Sequence, residues 1–178
     1  MKFLLKTDKE TILKLLKDTD INRKIKILNR LGDLPDSDRI KVLLKILEDS
    51  SWYLREQATI ELAKAGSKVV PRLIKLCRRG FWFTRAAACR TLGEIGDINA
   101  LDTVVDLLVN DTNPTVIKEV KNALIKIAEK NRETFMEKLK EVLLSRALNE
   151  SQFLILKGCL PQWAEALQEV YLKRKDNG

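Results

Sequence analysis

Apolar residues recur at helical spacing along most of the chain. The segments RIKVLLKILED, VVPRLIKLCRRG and ALDTVVDLLVND each place apolar side chains at positions i, i+3, i+4 and i+7. Because residues at that spacing share one face of an α-helix, each segment predicts an amphipathic helix with one stripe to bury. The connecting segments GDINA and NDTNP are short and carry the Gly, Asp, Asn and Pro that are typical of turns.

A longer pattern recurs about every 32 residues. The segments IKILNRLGDL, REQATIELAKAG, RAAACRTLGEIG and IKEVKNALIKIA each contain a leucine that is followed three residues later by an apolar residue and then by Gly or Ala. These leucines are Leu28, Leu62, Leu92 and Leu124. Such a period in a helical pattern predicts stacked helix pairs, each of which buries its stripe against the next pair. An ordinary helical bundle with chance similarity is the alternative.

The segment TRAAACRTLGEIGDINALDTVVDLLVND resembles HEAT repeats of the bilin-lyase-like subclass. Their pattern runs V-R-x-x-A-A-x-A-L-G-x-I-G-D and then A-x-x-x-L-x-x-L-L-x-D. The resemblance extends over about residues 21–144 and is strongest in the third unit; Ile117 takes the place of the arginine in the fourth unit, and Ile21 takes it in the first. The resemblance implies a curved right-handed solenoid whose V-R-x-x-A-A helices line the concave side.

We therefore expect an all-α fold, a right-handed α-solenoid of about four repeats with capping helices at both ends, in a single domain over residues 1–178. The expected boundaries are 1–19 for the N-terminal cap, 20–50, 51–80, 81–111 and 112–145 for the repeats, and 146–178 for C-terminal capping helices and a short tail. Thr7 and Glu10 have the spacing of a capping box. Pro161 predicts the start of the last helix, whose buried stripe would be Trp163, Leu167, Val170 and Tyr171.

Composition excludes several kinds of chemistry. The chain has no histidine, so Ser–His and Cys–His nucleophile pairs and imidazole metal sites are impossible. Its three cysteines, Cys77, Cys89 and Cys159, form no C-x-x-C, which argues against a disulfide framework or a thiolate zinc site. We expect reduced thiols in a cytoplasmic protein, with no catalytic residue, metal or cofactor.

The register of the repeat predicts which side chains face the concavity. These are Phe83, Ala86, Ala87, Arg90 and Glu94 in the third unit, Tyr53, Glu56, Gln57, Ile60 and Lys64 in the second, and Thr115, Lys118, Glu119, Asn122 and Lys126 in the fourth. The first unit adds a basic end made of Arg23, Lys26 and Arg30. Aromatic rings beside small side chains form a shallow apolar slot of the kind that anchors a partner protein.

Two tryptophans and two arginines stand at equivalent places in the second and third units. Trp52 and Trp82 lie three residues before Arg55 and Arg85, where the fourth unit has Pro114. The tryptophans either pack on the seam between units or serve as binding anchors, whereas the arginines should bridge to carboxylates or carbonyls of neighbouring turns, such as Asp49 or Asp111. Phe81 should pack on the seam.

Three functions remain open at this point. The first is a non-catalytic scaffold that binds a helix or peptide of another protein, with an acidic stretch of the partner suited to the basic end. The second is nucleic-acid binding, which the net charge of +8 allows and the carboxylates of the concave face oppose. The third, lower in rank, is a bilin-lyase-like protein that handles a chromophore, although the chain is short for a lyase and lacks an unmistakable motif of one.

Overall fold

The computed structural model describes residues 9–17, 20–146 and 148–176, so the capping box predicted at Thr7 lies outside the described residues. The described residues contain eleven α-helices and no strand, which confirms the predicted all-α fold. The helices are α1 Lys9–Leu15, α2 Ile21–Leu28, α3 Asp36–Ile46, α4 Trp52–Lys64, α5 Val70–Arg79, α6 Trp82–Ile95, α7 Leu101–Asn110, α8 Pro114–Lys130, α9 Phe135–Ser145, α10 Glu150–Cys159 and α11 Ala164–Asp176.

The helices form two layers. Helices α2, α4, α6 and α8 pack side by side in one layer, and α3, α5, α7 and α9 form the other. We call α2, α4, α6 and α8 the inner helices and α3, α5, α7 and α9 the outer helices. The outer helices α3, α5 and α7 each also pack against the inner helix that follows in sequence. At the C-terminal end α10 packs on α7, and α11 packs on α9 and α10. Helix pairs stacked in this way make an α-solenoid, as predicted.

Small residues bring the helices of the first layer close together. Gly93 of α6 is buried, and a Cβ atom at this position would lie 2.7 Å from the Cα atom of Ala123 on α8. Helices α6 and α8 therefore approach almost backbone to backbone, whereas α5 and α7 in the other layer touch much less. This close spacing supports the prediction that α4, α6 and α8 lie on the inside of the curve, and we call these helices the concave layer.

The structure corrects the register of the first repeat. The inner helices begin at Ile21, Trp52, Trp82 and Pro114, so Ile21 aligns with the two tryptophans and does not take the place of an arginine. Lys24 takes that place, because it is the fourth residue of α2 as Arg85 is of α6. The anchor leucine of the first repeat is likewise Leu31, which is buried, while Leu28 is only partly buried. The 34 residues between Leu28 and Leu62 are therefore too long a separation for equivalent leucines. The apolar spacing alone could not reveal this, because it does not fix where α2 begins.

An ion pair fastens two of the turns that lead from an outer to an inner helix. Lys24 Nζ contacts Asp49 Oδ2 at 2.7 Å in the α3–α4 turn, and Arg85 Nε contacts Asp111 Oδ2 at 2.7 Å in the α7–α8 turn. Both carboxylates also accept a backbone N–H two residues later. We call this arrangement the turn ion pair. In the α5–α6 turn Arg79 stands at the position of the carboxylate, two residues before the residue that precedes the inner helix.

The same three turns differ in how they cap the inner helix. Ser51 accepts a hydrogen bond from Leu54 N at the start of α4, and Asn113 accepts one from Thr115 N at the start of α8. Phe81 precedes α6 and has no side-chain oxygen to do so. The α5–α6 turn thus lacks both the carboxylate and the capping side chain of its two counterparts.

Two thiols meet inside the layered pair of α5 and α6. Cys77 and Cys89 are fully buried, and their Sγ atoms are 3.6 Å apart. The hydrogen bond with Cys77 and the burial of the site raise the pKa of Cys89 well above its usual value. Cys159 is a half-buried free thiol on α10. Among the described residues, no helix is both long and apolar enough to cross a membrane.

Candidate functional site

A pocket of about 150 Å³ opens on the concave layer where α4, α6 and α8 meet. It is lined by Trp52, Arg55, Glu56, Thr59, Trp82, Phe83, Ala86, Ala87, Arg90, Thr115 and Glu119. Three aromatic rings stand at one end of the pocket because α4 and α6 both begin there. Only small side chains, Ala86 and Ala87, come from the middle of α6, so the space between the helices stays open.

The aromatic side chains at these helix starts contact one another. The ring of Trp82 meets that of Phe83 edge-on at 5.6 Å, and Trp52 meets Tyr53 in the same way at 6.1 Å. Trp52 is nevertheless 72% exposed and Trp82 46% exposed, so neither side chain is buried in the seam between repeats. Phe81 is 73% exposed and stacks on Phe83 at 5.6 Å, so the expectation that Phe81 packs on the seam was wrong.

Polar contacts between α4 and α6 hold the rim of the pocket. Arg90 contacts the two carboxylate oxygens of Glu56 with its two terminal guanidinium nitrogens, at 2.6 and 2.8 Å. The buried hydroxyl of Thr91 lies 3.3 Å from that of Thr59 and donates to Ala87 O. Because a bidentate pair fixes angle as well as distance, these contacts set the width of the pocket between the two helices.

The two arginines of the repeat pattern have structural roles, as predicted. Arg55 donates to the backbone oxygens of Asp49 and Ser50 at 2.7 and 2.8 Å, and its guanidinium lies 4.9 Å from the centre of the Phe83 ring. Burial lowers the pKa of Arg55, although Asp49 opposes this shift. In contrast, the hydrogen bonds with Asp111 raise the pKa of Arg85. Arg55 also lines the pocket, and the repeat pattern did not predict this additional role.

A second hollow of about 250 Å³ continues the groove along α6 and α8. It is polar, and its lining includes Arg90, Glu94, Lys118, Glu119, Asn122 and Lys126. Lys126 Nζ contacts Glu94 Oε1 at 2.6 Å, and this hydrogen bond lowers the pKa of the Glu94 carboxyl. Lys118 is exposed and has no ion pair within the described part of the chain. The groove therefore passes from an aromatic end to a polar end that carries an available cation.

The structure brings seven of the ten residues predicted to bind a partner into the pocket: Trp52, Glu56, Trp82, Phe83, Ala86, Ala87 and Arg90. It does not bring Tyr53, Gln57 or Ile60 there; Tyr53 and Ile60 lie exposed on α4 outside the pocket. Thr59 was missed, although it lies seven residues after Trp52 and so shares its helical face. Arg23, Lys26 and Arg30 are exposed on α2, where Lys26 alone aligns with a pocket residue, Ala87.

Within residues 9–17, 20–146 and 148–176, no cluster of three or more Cys, Asp or Glu side chains could hold a metal ion. The groove is thus built from aromatic rings, small side chains and ion pairs that are already satisfied within the protein. Such a surface can bind by shape, apolar contact and charge.

Comparison with known proteins places these features in context. A family model for HEAT repeats matches three overlapping stretches of the chain, residues 9–81, 40–125 and 70–152. Among solved structures, the complex of CpcE and CpcF of phycocyanin lyase from Nostoc sp. PCC7120 is similar, with a TM-score of 0.49 and 21% identity over 93% of this chain and 69% of that chain. No curated protein matches the sequence.

Proposed function

The chain belongs to the HEAT-repeat proteins, and from that premise we propose that it is a non-catalytic scaffold that binds a helix or extended peptide of a partner protein along its concave layer. Solenoids of this kind use the concave layer as an extended binding surface. The observation that carries the proposal is the pocket between α4 and α6. It is open although Arg90 and Glu56 pair with each other across it.

The pocket has the size of a site for one apolar side chain. Its volume of about 150 Å³ matches that of apolar cavities that admit a benzene ring. The carboxylate of Glu56 is already paired with Arg90, so an entering apolar side chain strands no charge on that wall. Central apolar anchors of this kind supply most of the affinity in protein interfaces.

Charge around the pocket favours an acidic segment on either side of the anchor. Lys118 is available at the polar end of the groove, and Arg23, Lys26 and Arg30 are exposed on α2 beyond the other end. Arg23 contacts Asp20 at 3.6 Å and Arg30 contacts Asp33 at 4.0 Å, but exposed pairs of this length hold their cations weakly. Carboxylates of a partner would therefore meet cations that they can recruit.

Affinity capture with a matched pair of variants tests the proposal. Ala87→Arg fills the pocket, and we expect it to abolish capture of proteins that the wild type retains from extract of the native cell. Ser151→Arg places the same side chain at an exposed position of α10 and should leave capture unchanged. Circular dichroism of both variants checks that they fold. Normal capture by folded Ala87→Arg protein would contradict the proposed groove.

Nucleic-acid binding is the second candidate. The exposed cations Arg72, Lys75 and Arg79 favour it, because they form no ion pair within the described part of the chain. Glu119 on the concave layer opposes it by repelling phosphates, whereas Glu56 and Glu94 are paired with Arg90 and Lys126. A gel shift at several salt concentrations tests this candidate, since phosphate contacts predict a steep loss of affinity with salt. Handling of a bilin chromophore ranks third, and a change in visible absorbance on mixing with a bilin tests it.

A further inference from the structure

The turn between α5 and α6 departs from its two counterparts in both its charge and its helix cap. In the α3–α4 and α7–α8 turns, a carboxylate makes the turn ion pair and a polar side chain caps the inner helix. In the α5–α6 turn, Arg79 replaces the carboxylate and Phe81 replaces the capping side chain. Positions that give up stabilising contacts without a gain in packing are expected where a protein has a function to serve.

The replacements create a protruding apolar and basic surface. Phe81 and Trp52 are 73% and 72% exposed, and Trp82, at the start of α6, lines the same pocket as Trp52. Arg78 and Arg79 are exposed immediately before this group, and Arg79 forms no ion pair within the described residues. We call Trp52, Phe81, Trp82, Arg78 and Arg79 the aromatic edge.

Two carboxylates of the flanking turns already have a cationic partner, since Asp49 is paired with Lys24 and Asp111 with Arg85. The cations of the aromatic edge itself are Arg79 and Arg78, of which Arg78 makes one long contact with Asp102, at 3.9 Å. Trp and Phe side chains favour the interface between lipid headgroups and acyl chains, and arginines next to them are attracted to anionic lipids.

We propose that the aromatic edge is a contact surface for an anionic lipid bilayer, with Phe81 and Trp52 inserted among the headgroups and Arg79 on the lipid phosphates. This surface adjoins the partner-binding pocket: Trp52 and Trp82 belong to both, whereas Phe81, Arg78 and Arg79 do not line the pocket. A bilayer fits the edge better than a nucleic acid does. One face of the Phe81 ring is covered by Phe83, which leaves less ring surface for base stacking, whereas insertion among lipids requires no free ring face.

Vesicle partitioning tests the proposal with the whole protein. We expect partitioning at least about tenfold stronger into phosphatidylcholine vesicles with about 30% phosphatidylserine than into phosphatidylcholine alone, and weaker at high salt. Insertion should also shift the tryptophan emission to the blue, against the constant background of Trp163, which is half-buried beside Phe135. No partitioning, or equal partitioning into both vesicles, overturns the proposal.

A variant that restores the repeat pattern separates binding from stability. Arg79→Asp combined with Phe81→Ser recreates the Asp-x-Ser arrangement of residues 49–51, and supplies Arg55 with a carboxylate and α6 with a cap. We expect this variant to unfold at a higher temperature than the wild type and to lose at least about tenfold in partitioning. Should the double variant fail to fold, Phe81→Ser and Arg79→Gln serve singly, with a loss of about fivefold each.

Two control variants make the same changes away from the aromatic edge. Leu154→Ser removes an exposed apolar side chain of α10, and Lys140→Glu reverses an exposed charge of α9. Both should partition as the wild type does. Partitioning of the double variant equal to the wild type, or equal losses in the controls, overturns the proposal, as does Phe81-dependent binding of poly(U) RNA without vesicle binding. Failure here leaves the capture experiment with Ala87→Arg unaffected, since that position lies in the pocket.

Discussion

At the scale of single residues, Arg85 joins two repeats through one buried carboxylate. The side chain of Asp111 is only 4% exposed, and it accepts two hydrogen bonds from Arg85 at 2.7 and 3.0 Å. We expect Arg85→Met to lower the free energy of unfolding by about 2 to 3 kcal/mol, because it leaves this buried carboxylate without a countercharge and with backbone N–H donors alone. Arg78→Met is the control: its contact with Asp102 is exposed and 3.9 Å long, so the loss should stay below about 0.5 kcal/mol. Urea unfolding of both variants measures the difference, and equal losses would contradict it.

The effect of Arg85→Met should also depend on pH. Burial raises the pKa of Asp111, but the hydrogen bonds from Arg85 and from the backbone outweigh it and hold the pKa below the ordinary 3.8. A carboxyl whose pKa is lowered on folding stabilises the protein above its unfolded pKa, and this contribution is lost as the pH falls through the folded value. The stability difference between wild type and variant should therefore be largest near neutral pH and shrink below about pH 4. A difference that is constant from pH 7 to about pH 3 would show that the ion pair is not its source.

At the scale of helices, the close approach of α6 and α8 depends on Gly93. Alanine is the better helix former by about 1 kcal/mol, yet its Cβ atom would lie 2.7 Å from the backbone of Ala123. We expect Gly93→Ala to lower the free energy of unfolding by about 1 to 3 kcal/mol, since both helices must shift to admit the methyl group. Gly158→Ala in α10 meets nothing within 4 Å and should be neutral or stabilising by up to about 1 kcal/mol. Thermal or urea unfolding compares the two, and a stabilising Gly93→Ala would refute the close approach.

The helices themselves could be predicted from sequence, but the start of α2 could not. The stripes of α3, α5 and α7 follow from apolar periodicity, and the buried leucines Leu62, Leu92 and Leu124 follow from the longer period. The register of α2 failed because the leucines Leu28 and Leu31 both fit the spacing, and only the helix start at Ile21 decides between them. Likewise, Tyr53 and Trp52 are neighbours in sequence, but the direction from which α6 packs decides which of them lines the pocket.

At the scale of the whole molecule, a stack of helix pairs should open from its ends. Helix α6 lies between α4 and α8 and packs on α5, whereas α2 has a single neighbour within its layer among the described residues. We expect backbone amides of α2 to exchange with solvent faster than those of α6, because opening α2 breaks fewer packed surfaces. Native-state hydrogen exchange followed by mass spectrometry measures both rates. Equal protection of α2 and α6 would indicate one cooperative unit.

The family and the solenoid architecture were readable from the chain because the repeat pattern encodes both. The function of the α5–α6 turn could not be predicted in the same way. Arg79 and Phe81 depart from the repeat pattern, and the pattern gives no information about the role of residues that do not follow it. The division into four repeats with a cap at each end, over a single domain, stays a prediction. The concave layer as the binding surface is likewise a proposal that the groove supports.

The buried thiols of Cys77 and Cys89 provide a built-in probe of how often α5 and α6 separate. A thiol reacts as the thiolate, and Cys89 is disfavoured in that form by its raised pKa, while both sulfur atoms are hidden between α5 and α6. An alkylating reagent therefore reaches this pair only while the two helices are apart. The rate at which Cys77 and Cys89 are alkylated therefore measures how often α5 and α6 separate. This measurement needs no introduced label.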